Sequence, residues 1–204
     1  MSPSRASMPY RPSERDTARE PDDGPHRRRG TDAEAAGLGH LAPAAGLRIW
    51  AATDDPHPHT VLVAAEAVLA ADAQNHRAGE ALDRALRTAF WTDSRSISHR
   101  AVILDVATEV ARSRTTAELD TGSLVAALDD GRHRADLMRD HAIAKTGVIA
   151  GSPTFVLPGG YTVTNPGITV YWKGPETARI PIVESYDPSV YGDLLRRAAA
   201  SAER

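Results

Sequence analysis

Cysteine is missing altogether from the 204 residues, and that absence excludes more than any other feature of the chain. Without a thiol there is no disulfide, no Cys-ligated zinc and no thiolate nucleophile. Aromatic residues are scarce, with three Trp, five Tyr and two Phe, so a core must be built from Ala, Leu, Val and Ile. Lysine occurs only at Lys145 and Lys173, and nearly all positive charge is Arg. The net charge of −3 supplies no field that would hold a nucleic acid or a membrane surface. No run approaches the roughly 18 consecutive apolar residues of a membrane span. Residues 1–29 are charged and lack the apolar stretch of a signal peptide, so a cytoplasmic location is the expectation. The G-x-S-x-G, P-loop and G-x-G-x-x-G patterns are also missing.

What is present reads as one domain preceded by an arm. Residues 1–46 are rich in Pro, Gly, Ser, Arg and Asp without apolar periodicity, and read as a disordered arm. Arg27-Arg28-Arg29 is a basic run, but the arm balances seven Arg against seven acidic residues, so a solvated tail is the better reading than a nucleic-acid contact. The domain then spans 47–204. Residues 47–52 suggest a short strand through Leu47, Ile49 and Trp50. From 59 to 146 the pattern is helical. A first helix is expected over Thr60–His76 and a second over Gly79–Phe90, the latter with Leu82 and Leu86 inward. Ser98 is the expected cap of a third, with the stripe Ala101, Leu104, Ala107, Val110 and Ala111. A fourth runs from Thr121 to a stop at Gly131. A fifth, carrying Leu137, Met138, Ile143 and Ala144, stops at Gly147. From 153 to 172 the period shortens to that of strands: Thr154–Leu157 and Tyr161–Thr164 around the Pro158-Gly159-Gly160 turn, and Ile168–Trp172 after Asn165-Pro166-Gly167. Asp187 and Pro188 open a last helix over 188–202.

Other clusters carry less. Asp54, Asp55, His57 and His59 are ligand types in one loop, but their prolines splay them, so a solvent-exposed loop and no metal is expected. His133 and His141 lie eight apart, whereas a helical zinc pair is four apart. Gly122-Ser123 and Gly151-Ser152 lack the setting of a nucleophile elbow, and Asp129-Asp130 reads as a solvated helix end.

A helical block, then Gly147-Val148-Ile149-Ala150-Gly151-Ser152-Pro153-Thr154-Phe155-Val156, then a hairpin and a terminal helix, resembles the DsbA-like thioredoxin-fold family, nearest its FrnE-like dithiol–disulfide isomerase branch. The likeness covers about Ala51 to Ala200. The segment is similar to the family's G-V-x-G-x-P-T-F with one extra residue before the second Gly. Arg87-Thr88-Ala89-Phe90 with Arg95-Ser96-Ile97 is similar to R-x-A-F followed by a G-R-x-I turn, with Ser94 in place of the Gly. Leu119-Asp120 resembles G-L-D with Glu118 in place of the Gly, and Asn165-Pro166-Gly167-Ile168 with Trp172 adds to the likeness.

The resemblance implies an α/β, thioredoxin-like fold with a large helical insertion and a cis peptide bond before Pro153. It also implies that Ser152, Pro153 and Thr154 dock substrate, through backbone pairing with an extended peptide or protein. The family's first strand and its C-x-x-C turn are not recognisable here, so the sheet is expected to be incomplete in its N-terminal half and no residue is assigned a catalytic role. The missing strand would leave an apolar edge beside the cis-Pro strand, with a homodimer, a partner chain or aggregation as the consequence. A redox-inactive member, or a truncated gene product, follows from this. Two alternatives stand beside it. One is a relative of the glutathione-dependent kappa-class transferases or 2-hydroxychromene-2-carboxylate isomerases, whose glutathione-binding Ser has no recognisable counterpart in the arm. The other is a non-catalytic helical interaction module. No cofactor is expected outside the glutathione alternative.

Overall fold

The computed structural model describes residues 24–52, 57–113, 118–174 and 179–202. The helices are α1 (Gly24–Leu38), α2 (Leu62–Asp72), α3 (His76–Trp91), α4 (Arg100–Arg112), α5 (Thr121–Asp130), α6 (Arg134–Ile143) and α7 (Val190–Ala202). The strands are β1 (Thr154–Val156), β2 (Thr162–Thr164), β3 (Ile168–Lys173) and β4 (Ile180–Tyr186). The fold is therefore mixed α and β. In place of one incomplete sheet, two antiparallel pairs form, β1 with β2 and β3 with β4.

The core lies among α2, α3, α4 and α5. Leu82, Ile103 and Leu124 are fully buried, and alanines fill the space between the helices, among them Ala67, Ala71, Ala78 and Ala107. Scarce aromatics thus lead to close helix approach rather than to a thick core. Apart from Glu66 and its last residue Asp72, helix α2 is apolar all round, which fits a helix touched by α3, α4, α5 and α6. Its contact with α3 is so close that a Cβ on Gly79 would lie 2.7 Å from the Asp72 Cβ. The expected stripe on α4 is rotated: Ile103, Val106, Ala107 and Val110 are buried while Ala101 is exposed, because the bulkier Ile103 and Val106 gain more from burial.

Helix boundaries follow side-chain capping. The first expected helix breaks at Asp72, because the Asn75 side chain accepts the Ala78 N–H at 2.9 Å and starts α3 at His76, earlier than Gly79. Gln74 then acts as a backbone surrogate, donating to the Asp120 carbonyl at 3.1 Å and accepting its N–H at 2.9 Å. Helix α5 has the expected bounds, with Gly131 at φ 61° closing it. Ser98 does not cap α4, which starts at Arg100 after His99. The Ser98 hydroxyl donates instead to the Thr60 carbonyl at 2.9 Å and joins the two loops.

Three further differences from the sequence pattern stand out. Residues 24–38 of the expected arm form α1, with Ala35 buried and with Gly37 packed so closely on β4 that a Cβ would meet Pro181 at 2.8 Å. Residues 1–23 of that arm, with Arg5 to Arg19 among them, lie outside the described residues. Residues 47–52 form no strand. Their backbone donors go elsewhere: Arg48 N–H to the Trp91 carbonyl at the end of α3, Trp50 N–H to Asp32 Oδ1 and Ala51 N–H to Ser94 Oγ. With a helix end and two side chains as acceptors, no ladder forms. Finally, β4 partners β3 through a stretch that the sequence pattern left unassigned, with Trp172 opposite Pro181 and an irregularity between Thr169 and Val170.

Candidate functional site

The chain leaves α6 through a widened turn over Ala144–Val148, in which Gly147 takes φ 84°. A Cβ on Gly147 would meet nothing within 4 Å, so glycine is needed there for its backbone conformation alone. Val148 and Ile149 follow and are exposed. The Ser152–Pro153 peptide bond is cis, as the resemblance implies. Ser152 and Pro153 are exposed, and Thr154 is half-buried.

The loop is tied to the hairpin by hydroxyls. Thr154 Oγ1 lies 2.5 Å from the Gly151 carbonyl and 2.7 Å from Thr164 Oγ1. A hydroxyl carries one proton, so Thr154 donates to the carbonyl and accepts from Thr164. A Cβ on Gly151 would lie 3.0 Å from Thr164 Cγ2, so the loop runs hard against β2.

The register fixes which backbone groups remain open. Thr154 faces Thr164, Phe155 faces Val163 and Val156 faces Thr162. Asn165 N–H donates to the Pro153 carbonyl and Leu157 N–H to the Tyr161 carbonyl, both at 2.8 Å. Hydrogen-bonded pairs alternate along an antiparallel ladder, so residues 153, 155 and 157 turn their backbone groups to β2. The N–H and C=O of Thr154 and Val156 therefore point away from it, and among the described residues no strand pairs with that edge. Phe155 stands on the α7 side, with its ring centroid 5.9 Å from that of Tyr191. Thr154 and Val156 share the opposite face, where Val156 is exposed. The site offers an extended strand two donors, two acceptors and an apolar flank.

The other candidates fall apart or are already occupied. Asp54 and Asp55 lie outside the described residues. His57 is not a free loop residue: its ring packs 5.0 Å from Trp50 and 5.5 Å from Phe90, and Nε2 is 3.2 Å from Thr31 Oγ1. His59 and His141 are exposed, and His133 precedes α6 rather than lying on it. Among the described residues no three His, Cys, Asp or Glu side chains gather as a metal site would require. Ser123 Oγ donates to Asp120 Oδ2 at 2.8 Å, so it serves the α5 cap. That hydroxyl, followed by the Ser123 and Gly122 N–H groups, holds the Asp120 carboxyl below the usual carboxylate range. Asp129 and Asp130 form exposed ion pairs with Arg100 and Arg132.

Two grooves escaped the sequence reading, because they depend on how helices cross. One, of ≈ 680 Å³ between α3 and α4, has the small Ala81 and Ala85 along its wall and alternates Arg77, Arg84 and Arg95 with Glu80, Asp93 and Glu109. The other, of ≈ 300 Å³ between α2 and α3, is lined by Val61, Val68, Phe90 and Ile97. Neither holds a histidine, and neither includes Ser152, Pro153 or Thr154. Among the described residues no helix is long and apolar enough to cross a membrane. No family model, curated protein or solved structure matches the chain.

Proposed function

We propose that this chain is a cysteine-free relative of the DsbA-like thioredoxin-fold oxidoreductases, which binds an extended peptide along β1 and carries out no thiol chemistry. The observation that carries the reading is the open edge of β1, where Thr154 and Val156 direct an N–H and a C=O each away from β2. Such an edge adds a strand by main-chain hydrogen bonding, and alternate side chains then select the guest. Ser152 and Pro153 mark the start of the docking strip, and Thr154 is its first paired residue. The redox step is excluded on composition, since no residue of the chain supplies a thiolate.

The test is fluorescence anisotropy with a labelled neutral peptide that alternates threonine and valine, titrated against the full chain and against Val156→Pro. Proline at 156 removes the outward N–H and leaves the β1–β2 bonds in place, since that N–H faces away from β2. The expected result is binding to the full chain and a dissociation constant about tenfold or more weaker for the variant. Equal binding by both proteins, or none by either, overturns the reading. Binding of glutathione in place of the peptide would turn the assignment to the glutathione-dependent relatives.

A further inference from the structure

We infer that the strand seated on the β1 edge is β1 of a second copy of this chain, giving a two-fold dimer with a continuous β2–β1–β1–β2 sheet. The inference rests on the reading above, that the edge accepts a strand, and adds the identity of the guest.

Three observations carry it. The first is register. Antiparallel pairing of identical strands is isologous, so the two-fold must place outward-facing residues opposite one another. With the axis at Phe155, Thr154 of one copy faces Val156 of the other, and the reverse. Every outward N–H and C=O of Thr154 and Val156 is then used, within the strand that already exists. Placing the axis at Thr154 would pair only Thr154 with itself inside β1. The second is the centre of that arrangement. The two Phe155 side chains become a non-hydrogen-bonded pair, the closer of the two kinds, on the side where Phe155 already meets Tyr191. Aromatic pairs are among the favourable cross-strand pairs.

The third is charge. Although 25% of the chain is charged, residues 146–172 contain no Asp, Glu, Lys, Arg or His. Edges that must stay unpaired are guarded by charged side chains, above all lysine. Here Lys145 and Lys173 stand outside the stretch, so no like charges oppose one another when two copies meet. Proline at 158 bounds the ladder. Position 158 faces outward by the same alternation, and proline brings no N–H to extend the pairing, so the contact closes as a short dimer.

The experiment uses sedimentation velocity on the full chain from about 1 μM to about 1 mM, the range over which weak dimers dissociate. Val156→Lys and Val156→Glu are run alone and as an equimolar mixture. The two Val156 side chains lie diagonally across the axis on one face, within reach of long side chains. Each variant alone is expected to dimerise about tenfold or more weakly than the natural chain, and the mixture to recover dimer. Peptide binding is read separately on the natural chain, diluted to where it is monomeric, so that loss of the dimer and loss of the strand-accepting edge are told apart. Peptide binding by a natural chain that stays monomeric throughout overturns the dimer and leaves the strand-accepting edge standing. Failure of both overturns both. As a measure independent of any variant, the Thr154 and Val156 amides should exchange faster on dilution; rates independent of concentration overturn the dimer.

Discussion

In helices α2 to α5 Leu82, Ile103 and Leu124 expose no surface, whereas after α6 Val156, Tyr186 and Leu195 expose 56%, 58% and 73% of theirs. The two regions differ in what faces them. The helices cross closely on alanines, so most of their apolar faces meet one another, with the groove of Val61, Val68, Phe90 and Ile97 left open between α2 and α3. The later hairpins present two faces each, and one helix cannot cover both. Phe155 gains Tyr191 of α7, and Pro181 gains α1, while Tyr171 and Trp172 remain exposed. Apolar composition therefore does not make a core without a second layer to meet it. The helical region closes largely on itself, and the strand region is the half to which the proposed dimer would add.

The sharpest way to break this comparison is to truncate one leucine in each region. Leu82→Ala removes a fully buried side chain among α2, α3 and α4 and is expected to cost about 2–5 kcal/mol. Leu195→Ala, on the exposed side of α7, is expected to change stability by less than about 0.5 kcal/mol. Chemical denaturation followed by far-ultraviolet circular dichroism measures both. Equal losses would mean that the two regions share one core.

A smaller effect is expected where the regions are joined. The Glu66 side chain on α2 is 3% exposed, and Arg134 at the start of α6 reaches it at 3.1 Å and 3.3 Å through two nitrogens. Arg134 is itself 64% exposed, so solvent screens part of the attraction. Arg134→Met leaves a buried carboxylate without its cation and should cost about 1–3 kcal/mol. Adding Glu66→Met should recover most of that loss, since an apolar pair of similar volume replaces a desolvated one. A double variant less stable than Arg134→Met would show that Glu66 has a further role in holding α2.

Much of this organisation is readable from local chemistry, and what is not depends on distant contacts. Gly131 and Gly147 mark the ends of their helices because their backbones require positive φ, which is a local property. The Pro158-Gly159-Gly160 turn marks the β1–β2 hairpin for the same reason. Helix α1 is unreadable because it has no marked apolar side; it is placed by Gly37 against Pro181 and by Asp32 accepting the Trp50 N–H. Strand β4 is hidden by Pro181, which interrupts the strand signal and is tolerated where one edge of a two-stranded sheet stays open. His57 looks solvated beside its prolines, and only the fold brings Trp50 and Phe90 to its ring. At the candidate site, Ser152, Pro153 and Thr154 were visible as a motif. The outward direction of Thr154 and Val156 was not, because it follows from the pairing of β1 with β2 rather than from β1 alone.

The smallest expected effect compares one device present in both regions. Asp120 opens α5 and Asp187 precedes α7. Each carboxylate accepts a serine hydroxyl and the same residue's N–H, from Ser123 and from Ser189. Those bonds favour the charged form and lower both carboxyls below their ordinary value, the hydroxyl contributing most. A carboxyl lowered in the folded state stabilises it fully above the unfolded value, about pH 4, and that contribution disappears as pH falls through the folded value. Asparagine keeps an accepting oxygen but does not titrate, so Asp120→Asn and Asp187→Asn should each remove one acid-dependent contribution. If the helical region is complete in itself, Asp120→Asn flattens the pH dependence of global unfolding, because α5 melts with the core. Asp187→Asn should instead change only amide exchange in the first turn of α7, an element that can open without the core. If both variants alter global unfolding alike, α7 melts with the helices and the strand region is less independent than its exposed side chains indicate.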